Sequence, residues 1–347
     1  MTGILKGILD GIYNLVSNYG VSIVLFTILV RLCLMPLDYK SRVGMRKMSK
    51  LAPKQAELQK KYEKDPEKMQ RKLAELYKAE RVSPLSSCWP MLVSMPILFA
   101  MFGAMRTMAN EQLIAQAFNI ILDGNAELEQ FLWIKNLWMP DSPFNAAWPS
   151  VQSLSIVPAE DWMAVINEWS VSMPERFEAL KVALGNIDLS AAAFEGDALQ
   201  GTVAAITGAL EKVPNYAAET QGIEYLTLNL LITKLTVVKN WNGLFLLPIM
   251  SAVSQYLMTV LNPTQQPQPT GDQAKQPSTG NFMKWFFPLF SLWLCSSNNA
   301  AFALYWVTSN LIAMVQNFGI NKYLDHKEAL AAGKPDIIIE NTGKGIK

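Results

Sequence analysis

VSIVLFTILVRLCLMPL, from Val21 to Leu37, contains a single side chain that is charged at neutral pH, that of Arg31. The run of 17 residues is just long enough to cross the hydrocarbon of a bilayer as a helix. An arginine inside such a span costs about 2.5–3.5 kcal/mol on insertion scales, so it requires a compensating environment. The stretch therefore predicts a transmembrane helix that carries one costly charge.

Two environments compensate a charge at this position. Arg31 is separated from Leu37 by roughly 9 Å at a rise of about 1.5 Å per residue, so its long side chain can reach the headgroups by snorkelling. Alternatively, it faces a water-filled cavity inside a helix bundle, where an anionic group can meet it. Thr27 lies one turn earlier on the same face and favours a polar lining. The stretch alone leaves both environments open.

The composition and the charge distribution indicate a membrane protein rather than a soluble enzyme. Half of the residues are hydrophobic and only 17% are charged. Residues 39–84 hold 14 Lys and Arg against 6 Asp and Glu, whereas residues 110–240 hold 6 against 16. Short loops rich in Lys and Arg stay in the cytoplasm. The first segment is therefore predicted inside and the second outside.

No motif for catalysis or metal binding stands out. The three cysteines, Cys33, Cys88 and Cys295, all fall in apolar runs without CxxC spacing, so neither a disulfide framework nor a zinc site is expected. The only histidine, His326, lies in the polar tail. Residues 110–240 contain no GxSxG, no HExxH and no glycine-rich phosphate loop. We expect no enzyme activity, no cofactor and no metal.

The apolar runs and the polar segments between them predict an all-α polytopic membrane protein. Five transmembrane helices would surround a hydrophilic groove that is open to the cytoplasm, with a cytoplasmic helical hairpin and a helical extracytoplasmic insertion. In chain order, the predicted segments are an amphipathic interfacial helix (1–19), TM1 (20–38), the basic hairpin (39–84), TM2 (85–108), the extracytoplasmic region (109–240), TM3 (241–261), a cytoplasmic loop (262–281), TM4 (282–297), TM5 (298–319) and a cytoplasmic tail (320–347).

The basic segment 39–84 is predicted to form two amphipathic helices with a turn between them. Asp65 is placed to cap the second helix and Pro66 to occupy its first position. The segment is either a solvated face with a topology signal, or a docking surface for anionic partners such as lipid headgroups or ribosomal RNA. The candidate docking residues are Arg46, Lys47, Lys50, Lys60, Lys61, Asp65 and Pro66.

A series of motifs in collinear order covers roughly two-thirds of the chain. They are GVSIVLFTILVRLCLMPLDYKS, KMSKLAPKQAELQKKYEKDPEKMQRKLAELYK, VSPLSSCWPMLVSMPILFAMFGAMR, FLWIKNLWMPD, LFLLPIMSAVSQYLM and LYWVTSNLIAMVQNFGINKYL. In these motifs the chain resembles the YidC insertases of bacteria, which are related to the insertases of mitochondria and chloroplasts. The resemblance is to the five-span form.

The resemblance implies a role for particular residues. It makes Arg31 the groove arginine and Trp306 the aromatic residue that faces the same groove from the last span. Ser94 stands where many relatives carry glutamine, and Gln255 lies one turn before the place of another common glutamine. The expected groove residues are Arg31, Thr27, Ser94, Gln255, Trp306 and Asn310.

The physical reading and the resemblance agree on a membrane protein insertase and chaperone. A nascent hydrophobic segment would enter from the cytoplasm, with its polar or acidic tail drawn toward Arg31, and then leave sideways into lipid. The alternative is a secondary transporter or channel that uses Arg31 for an anionic solute, although the sequence has no internal repeat and no second intramembrane charge. The implied partners are nascent membrane proteins, membrane lipids, the ribosome, the signal recognition particle pathway and the Sec translocon, but not DNA. The implied location is the bacterial plasma (inner) membrane, with the N-terminus outside.

Overall fold

The computed structural model describes residues 2–80, 89–220, 226–230, 233–238, 240–261, 278–331 and 333. Helices dominate, and one antiparallel pair of strands joins them. The helices are α1 (Thr2–Val16), α2 (Tyr19–Lys61), α3 (Pro66–Ala79), α4 (Trp89–Asp123), α5 (Val151–Ser155), α6 (Ala159–Ser172), α7 (Pro174–Ala183), α8 (Ala198–Glu211), α9 (Pro214–Thr220), α10 (Leu246–Leu261), α11 (Ser278–Ser296) and α12 (Ala300–Ala331); a 3-10 turn covers Ala191–Phe194, and the strands are β1 (Leu226–Leu230) and β2 (Thr233–Val237).

The chain divides into two compact units. Five long helices, α2, α4, α10, α11 and α12, contribute residues to both of them. The first unit contains Met1–Thr27, Pro96–Tyr256 and Trp285–Thr308, and the second contains Ile28–Met95, Leu257–Lys284 and Ser309–Lys347.

The C-terminal half of α4 forms the core of the region predicted to lie outside the membrane. Its Ile114 and Phe118 are fully buried. The Phe118 ring packs against the Trp162 and Trp169 rings of α6, at centroid distances of 6.2 and 5.2 Å. Helices α5 to α9 confirm the helical character predicted for residues 109–240, with the exception of β1 and β2. Because α6 packs on α4, this region is an integral part of the first unit.

The side chain of Asp141 fixes the start of α10. This residue is fully buried, and its carboxylate accepts hydrogen bonds from the backbone N–H groups of Phe245 (3.1 Å) and Leu247 (2.7 Å). It also accepts from the indole Nε1 of Trp133 at 3.2 Å. A carboxylate at the amino end of a helix satisfies orphan N–H groups and favours the helix dipole. Gly243 permits this arrangement, because a Cβ there would overlap the Asp141 carboxylate.

A second buried polar side chain, Asn242, bonds the segment just before α10 to the loop that runs from Phe131 to Asp141. Its Nδ2 donates to the carbonyls of Asn136 (2.8 Å), Met139 (3.1 Å) and Pro140 (2.9 Å), while its Oδ1 accepts from the Asn136 N–H at 2.7 Å. The Asn136 side chain in turn donates to Gln116 of α4 at 2.9 Å. The loop is therefore bonded to two helices at once.

The same loop also receives the start of α12. The Ala300 and Ala301 N–H groups donate to the carbonyls of Met139 and Leu137, each at 2.9 Å. The loop from Phe131 to Asp141 thus connects the starts of α10 and α12 to the C-terminal half of α4 within the first unit. Buried backbone groups need partners, and this loop supplies them.

Three helices continue well past the ends that the sequence predicted. TM2 was expected to end at residue 108, but α4 continues to Asp123. TM1 was expected to end at residue 38, but α2 continues to Lys61 with Pro36 and Pro53 inside it. TM5 was expected to end at residue 319, but α12 continues to Ala331. The first arm of the predicted hairpin is therefore a continuation of a long helix and not a separate helix.

The β1–β2 hairpin is the exception to the all-α expectation. The two strands pair in antiparallel register, with Leu226 opposite Val237 and Leu230 opposite Thr233. The segment is rich in Leu, Thr and Val, residues that suit a strand when the backbone finds a partner. The predominantly helical class is otherwise confirmed.

Helix α2 is, among the described helices, the one that is long and apolar enough to cross a membrane by length and composition. Helix α10 is apolar but shorter, with 16 residues. The number of spans stays a prediction. Nevertheless, exposed apolar side chains form faces on four helices: Leu25, Leu29 and Leu32 on α2; Ile249, Val253 and Val260 on α10; Trp285, Leu289 and Trp293 on α11; Leu311, Val315 and Phe318 on α12.

Some expectations fall outside the described residues. These are the end of the basic segment at residues 81–84, the cytoplasmic loop as far as residue 277, and the tail beyond residue 333.

The Asp141 network gives a stability prediction. Replacing Asp141 with Ala leaves two amides and one indole N–H buried without their acceptor, which should lower the free energy of unfolding by about 2–4 kcal/mol. Asp141→Asn keeps one acceptor oxygen and should lose less. Thermal unfolding of the purified protein in detergent measures the difference. Asp197→Ala is the control, because Asp197 is exposed and makes no side-chain cap at the start of α8. Equal midpoints for Asp141→Ala and this control would contradict the assignment.

Candidate substrate-binding site around Arg31

Arg31 lies in the second unit and its guanidinium is bonded to α12. Its Nε and Nη2 both donate to the hydroxyl oxygen of Ser309, at 2.9 and 2.6 Å. No carboxylate of the described residues forms an ion pair with it, and Nη1 makes no hydrogen bond to them. The side chain is half-buried. Arg31 is therefore a cation held by one hydroxyl, with donors left over.

A further bond ties the backbone of Arg31 to the same helix. The Gln316 side chain donates from Nε2 to the Arg31 carbonyl at 3.0 Å. Ser309 and Gln316 are seven residues apart, about two turns, and so lie on one face of α12. The sequence analysis missed both residues. The available signal was the presence of polar side chains in an otherwise apolar stretch of α12, without any indication of which one meets Arg31.

The other expected groove residues are distributed between the two units. Thr27, Gln255 and Trp306 belong to the first, and Ser94 and Asn310 to the second. Thr27 is buried, and its hydroxyl donates to the carbonyl of Ile23 in its own helix at 2.6 Å. Asn310 is buried and Gln255 half-buried. The side chain of Ser94 lies outside the described residues.

Trp306 is half-buried in the aromatic part of the first unit. Its ring lies 5.8 Å from that of Phe302, which makes an edge contact with Phe102 at 5.3 Å. The indole Nε1 is buried and has no hydrogen-bond partner among the described residues. These contacts fix the ring by packing.

The basic segment contains the expected turn. Helix α2 ends at Lys61 and α3 begins at Pro66. The Asp65 side chain accepts from the Lys68 N–H at 3.1 Å, and Pro66 occupies the first turn, so the predicted cap is confirmed. No residue of α3 is fully buried. Lys47, Lys60 and Lys61 are exposed, as a docking surface requires.

Two of the candidate docking residues are instead paired inside the chain. Arg46 Nη1 lies 2.6 Å from the Asp325 carboxylate, and its Nη2 donates to the Asn321 carbonyl at 2.9 Å. Lys50 Nζ lies 2.9 Å from the Glu328 carboxylate. Both acidic residues belong to the extended end of α12. This pairing was not predictable from the sequence, because charges on an amphipathic helix usually face solvent.

Arg42 is a further charge that the sequence analysis did not single out. Its side chain is almost completely buried. This burial lowers the pKa of Arg42 to about 10, while the nearby Asp38 carboxylate acts in the opposite direction. The guanidinium therefore remains charged at neutral pH.

The chemistry of the site is binding by charge and hydrogen bonds. The described residues contain no group of three or more His, Cys, Asp and Glu side chains that could hold a metal ion. A guanidinium has five N–H donors in a planar fork that matches a carboxylate. Arg31 uses two of them on Ser309, so an anionic or polar group can take the others.

Comparison with known proteins places the chain in a family. Residues 11–179 and 205–328 match the model of the family described as 60Kd inner membrane protein. Similar proteins include the Membrane protein insertase YidC of Clostridium perfringens, 38% identical over 135 residues that cover 38% of this chain and 50% of that relative.

The proteins of the same name from Helicobacter pylori and Chlorobaculum tepidum are 37% and 39% identical, each over 134 residues. These matches cover 39% and 38% of this chain, and 21% and 20% of the relatives. The chain thus matches half or less of the length of these curated relatives. The family match, in contrast, extends over most of the chain, from α1 to α12. The chain belongs to the 60Kd inner membrane protein family, which includes the YidC insertases.

Proposed function

We propose that this protein is a membrane protein insertase, which moves hydrophobic segments of nascent proteins from the cytoplasm into the lipid bilayer. The observation that carries the proposal is the Arg31 guanidinium, which lies in an apolar helix and keeps donors free of the described residues. Membership of the family and the name shared by its relatives support the same activity.

The bonds of Arg31 favour a groove over snorkelling. Both Nε and Nη2 turn toward Ser309 on another helix, instead of extending along α2 to the headgroups. The polar tail of a substrate must leave water, and this desolvation is the main barrier to crossing. A fixed cation partway through the bilayer gives an acidic tail a charged hydrogen-bond partner and lowers that barrier. Ser309 would orient the fork so that Nη1 faces the substrate.

The hydrophobic part of the substrate would leave sideways into lipid. Burying its apolar surface is favourable by about 25 cal/mol per Å². The exposed apolar faces of α2, α10, α11 and α12 support contact with lipid on the outside of the helices. No energy source other than this burial is required by the proposal.

The orientation that we propose has five spans, an outside N-terminus and a cytoplasmic C-terminus. The charge split between residues 39–84 and 110–240 supports it. In this orientation, α5 to α9 would lie outside, with α6 packed on α4, while α3 would lie in the cytoplasm. The groove would open to the cytoplasm.

The partners we propose are nascent membrane proteins and lipids, together with the ribosome, the signal recognition particle pathway and the Sec translocon. The exposed basic residues Lys47, Lys60 and Lys61 support docking of an anionic surface on α2. No observation on the described residues favours the alternative of a transporter or channel.

The electrostatic role of Arg31 can be measured by crossing its variants with two substrates. Arg31→Ala should reduce insertion of a substrate with an acidic tail about tenfold or more, as expected for a charged hydrogen bond of about 1.5–3 kcal/mol. Arg31→Lys keeps the charge without the fork and should retain most of the activity. A substrate with a neutralised tail should depend much less on Arg31. In-cell insertion assays of these combinations give the coupling as a double-mutant cycle.

The control for that experiment is the amount of protein in the membrane, which should be equal for the native protein, Arg31→Ala and Arg31→Lys. Ser309→Ala should act in the same direction as Arg31→Ala but more weakly, because the charge stays while its orientation is lost. Normal insertion of the acidic-tailed substrate by Arg31→Ala would remove Arg31 from the mechanism.

The orientation has its own test. Single cysteines are introduced at Ser190 and at Ser278 in a variant without Cys33, Cys88 and Cys295. A membrane-impermeant thiol reagent should label the first in intact cells, and the second only after the membrane is opened. Labelling of both in intact cells would exclude the five-span arrangement.

A further inference from the structure

The extended ends of α2 and α12 make a set of polar contacts around Arg46 within the second unit. Both terminal nitrogens of its guanidinium are used. Nη1 forms an ion pair with the Asp325 carboxylate at 2.6 Å, and Nη2 donates to the Asn321 carbonyl at 2.9 Å and to the Asn321 side-chain oxygen at 3.3 Å. Lys50 adds the pair with Glu328. We call these five residues the Arg46 staple.

Apolar packing accompanies the staple. Ile320 and Leu324 of α12 are buried, as is Met45 of α2, whereas Asp325 is largely exposed. The side chain of Arg46 is only 20% exposed, so its charge is removed from water and needs these partners. An arginine that is fixed in this way is poorly available to an external anion.

Arg31 and Arg46 connect the same two helices at separate levels. They are 15 residues apart on α2, about 22 Å at a rise of about 1.5 Å. On α12, Ser309 and Gln316 contact Arg31, while Asn321 and Asp325 contact Arg46. Because α12 is continuous from Ala300 to Ala331, its position at the staple also sets its position at Ser309.

We infer that Arg46 is a positioning residue: through Asn321 and Asp325 it holds α12 along α2, and so keeps the Ser309 hydroxyl on Arg31. This inference rests on the proposed function for its effect on insertion, but not for its effect on the helices. Arg46 and Lys50 then have a structural role, whereas the exposed Lys47, Lys60 and Lys61 remain available for docking.

A charge swap distinguishes positioning from docking. Arg46→Glu places a third carboxylate beside those of Asp325 and Glu328, which both pair with Arg46 in the native protein, and should separate the ends of the helices. Asp325→Arg should do the same by placing two cations together. The double variant Arg46→Glu, Asp325→Arg restores the attraction in reverse and should recover the native arrangement. If Arg46 instead docked an anionic partner, the double variant would stay defective, because the positive charge at position 46 is still missing.

The first readout is the distance between nitroxide labels at Ser49 and Lys327, both exposed, measured by pulsed electron resonance in a variant without native cysteines. A narrow distribution is expected for the native charges and for the double variant, and a broad one for each single reversal. Lys47→Glu is the matched control: it reverses a neighbouring exposed charge on α2 and should leave the distribution narrow. An unchanged distribution in Arg46→Glu would overturn the inference.

The second readout is insertion of the acidic-tailed substrate. We expect a loss of roughly threefold or more in each single reversal, and recovery in the double variant. Arg46→Lys keeps the charge but has only one nitrogen in place of the two terminal nitrogens. Its insertion activity should therefore lie between that of the single reversals and that of the double variant. If either single reversal fails to accumulate, the insertion activities of the double variant and of Arg46→Lys still distinguish a positioning role of Arg46 from a docking role. Broad distances with normal insertion would overturn the link to Arg31, whereas an inactive native protein would overturn the proposed function and leave the staple standing.

Discussion

The carboxylate of Asp141 is the contact on which the first unit depends. It lies about a hundred residues from its partners along the chain, yet it accepts the N–H groups of Phe245 and Leu247 at the start of α10. The adjoining loop bonds to Gln116 through Asn136 and to the first residues of α12. Where two helices begin at the same loop, their orphan backbone N–H groups must be satisfied, and the loop from Phe131 to Asp141 supplies acceptors for them. The glycine at position 243 is required because the carboxylate occupies the place of its side chain.

Three charges illustrate how partners distinguish structural from functional roles. Asp141 is fully buried with three donors around it, so its bonds go to holding the fold. Arg46 has two partners within the chain, the Asp325 carboxylate and the Asn321 carbonyl. Arg31 has a single hydroxyl and keeps donors that the described residues do not use. In an apolar helix, such a charge is retained at a cost in stability, and a substrate that completes its bonds is the physical reason we propose for it.

Local signals in the sequence predicted local features well. Arg31 stood out as one charge in an apolar run, and the Asp65 and Pro66 start of α3 was visible from residue types alone. Long-range contacts were not visible. Ser309 was one of several polar residues in α12, and Arg46 looked like any solvated lysine or arginine of the basic segment. The continuation of α2 past Pro36 and the β1–β2 hairpin depend on packing and pairing partners, which periodicity does not specify.

In the proposed mechanism, Arg31 meets the polar tail of a substrate. A photoreactive amino acid at Ile312, which lies between Ser309 and Gln316 on one face of α12, reports this contact directly. A stalled nascent chain with an acidic tail should crosslink at position 312 through its tail residues, and much less in Arg31→Ala or when the tail is neutralised. The exposed Phe318, which lies on the opposite side of α12 from Ser309, is the control and should show no dependence on Arg31. A tail crosslink at position 312 that is unaffected by Arg31→Ala and by tail charge would contradict the account.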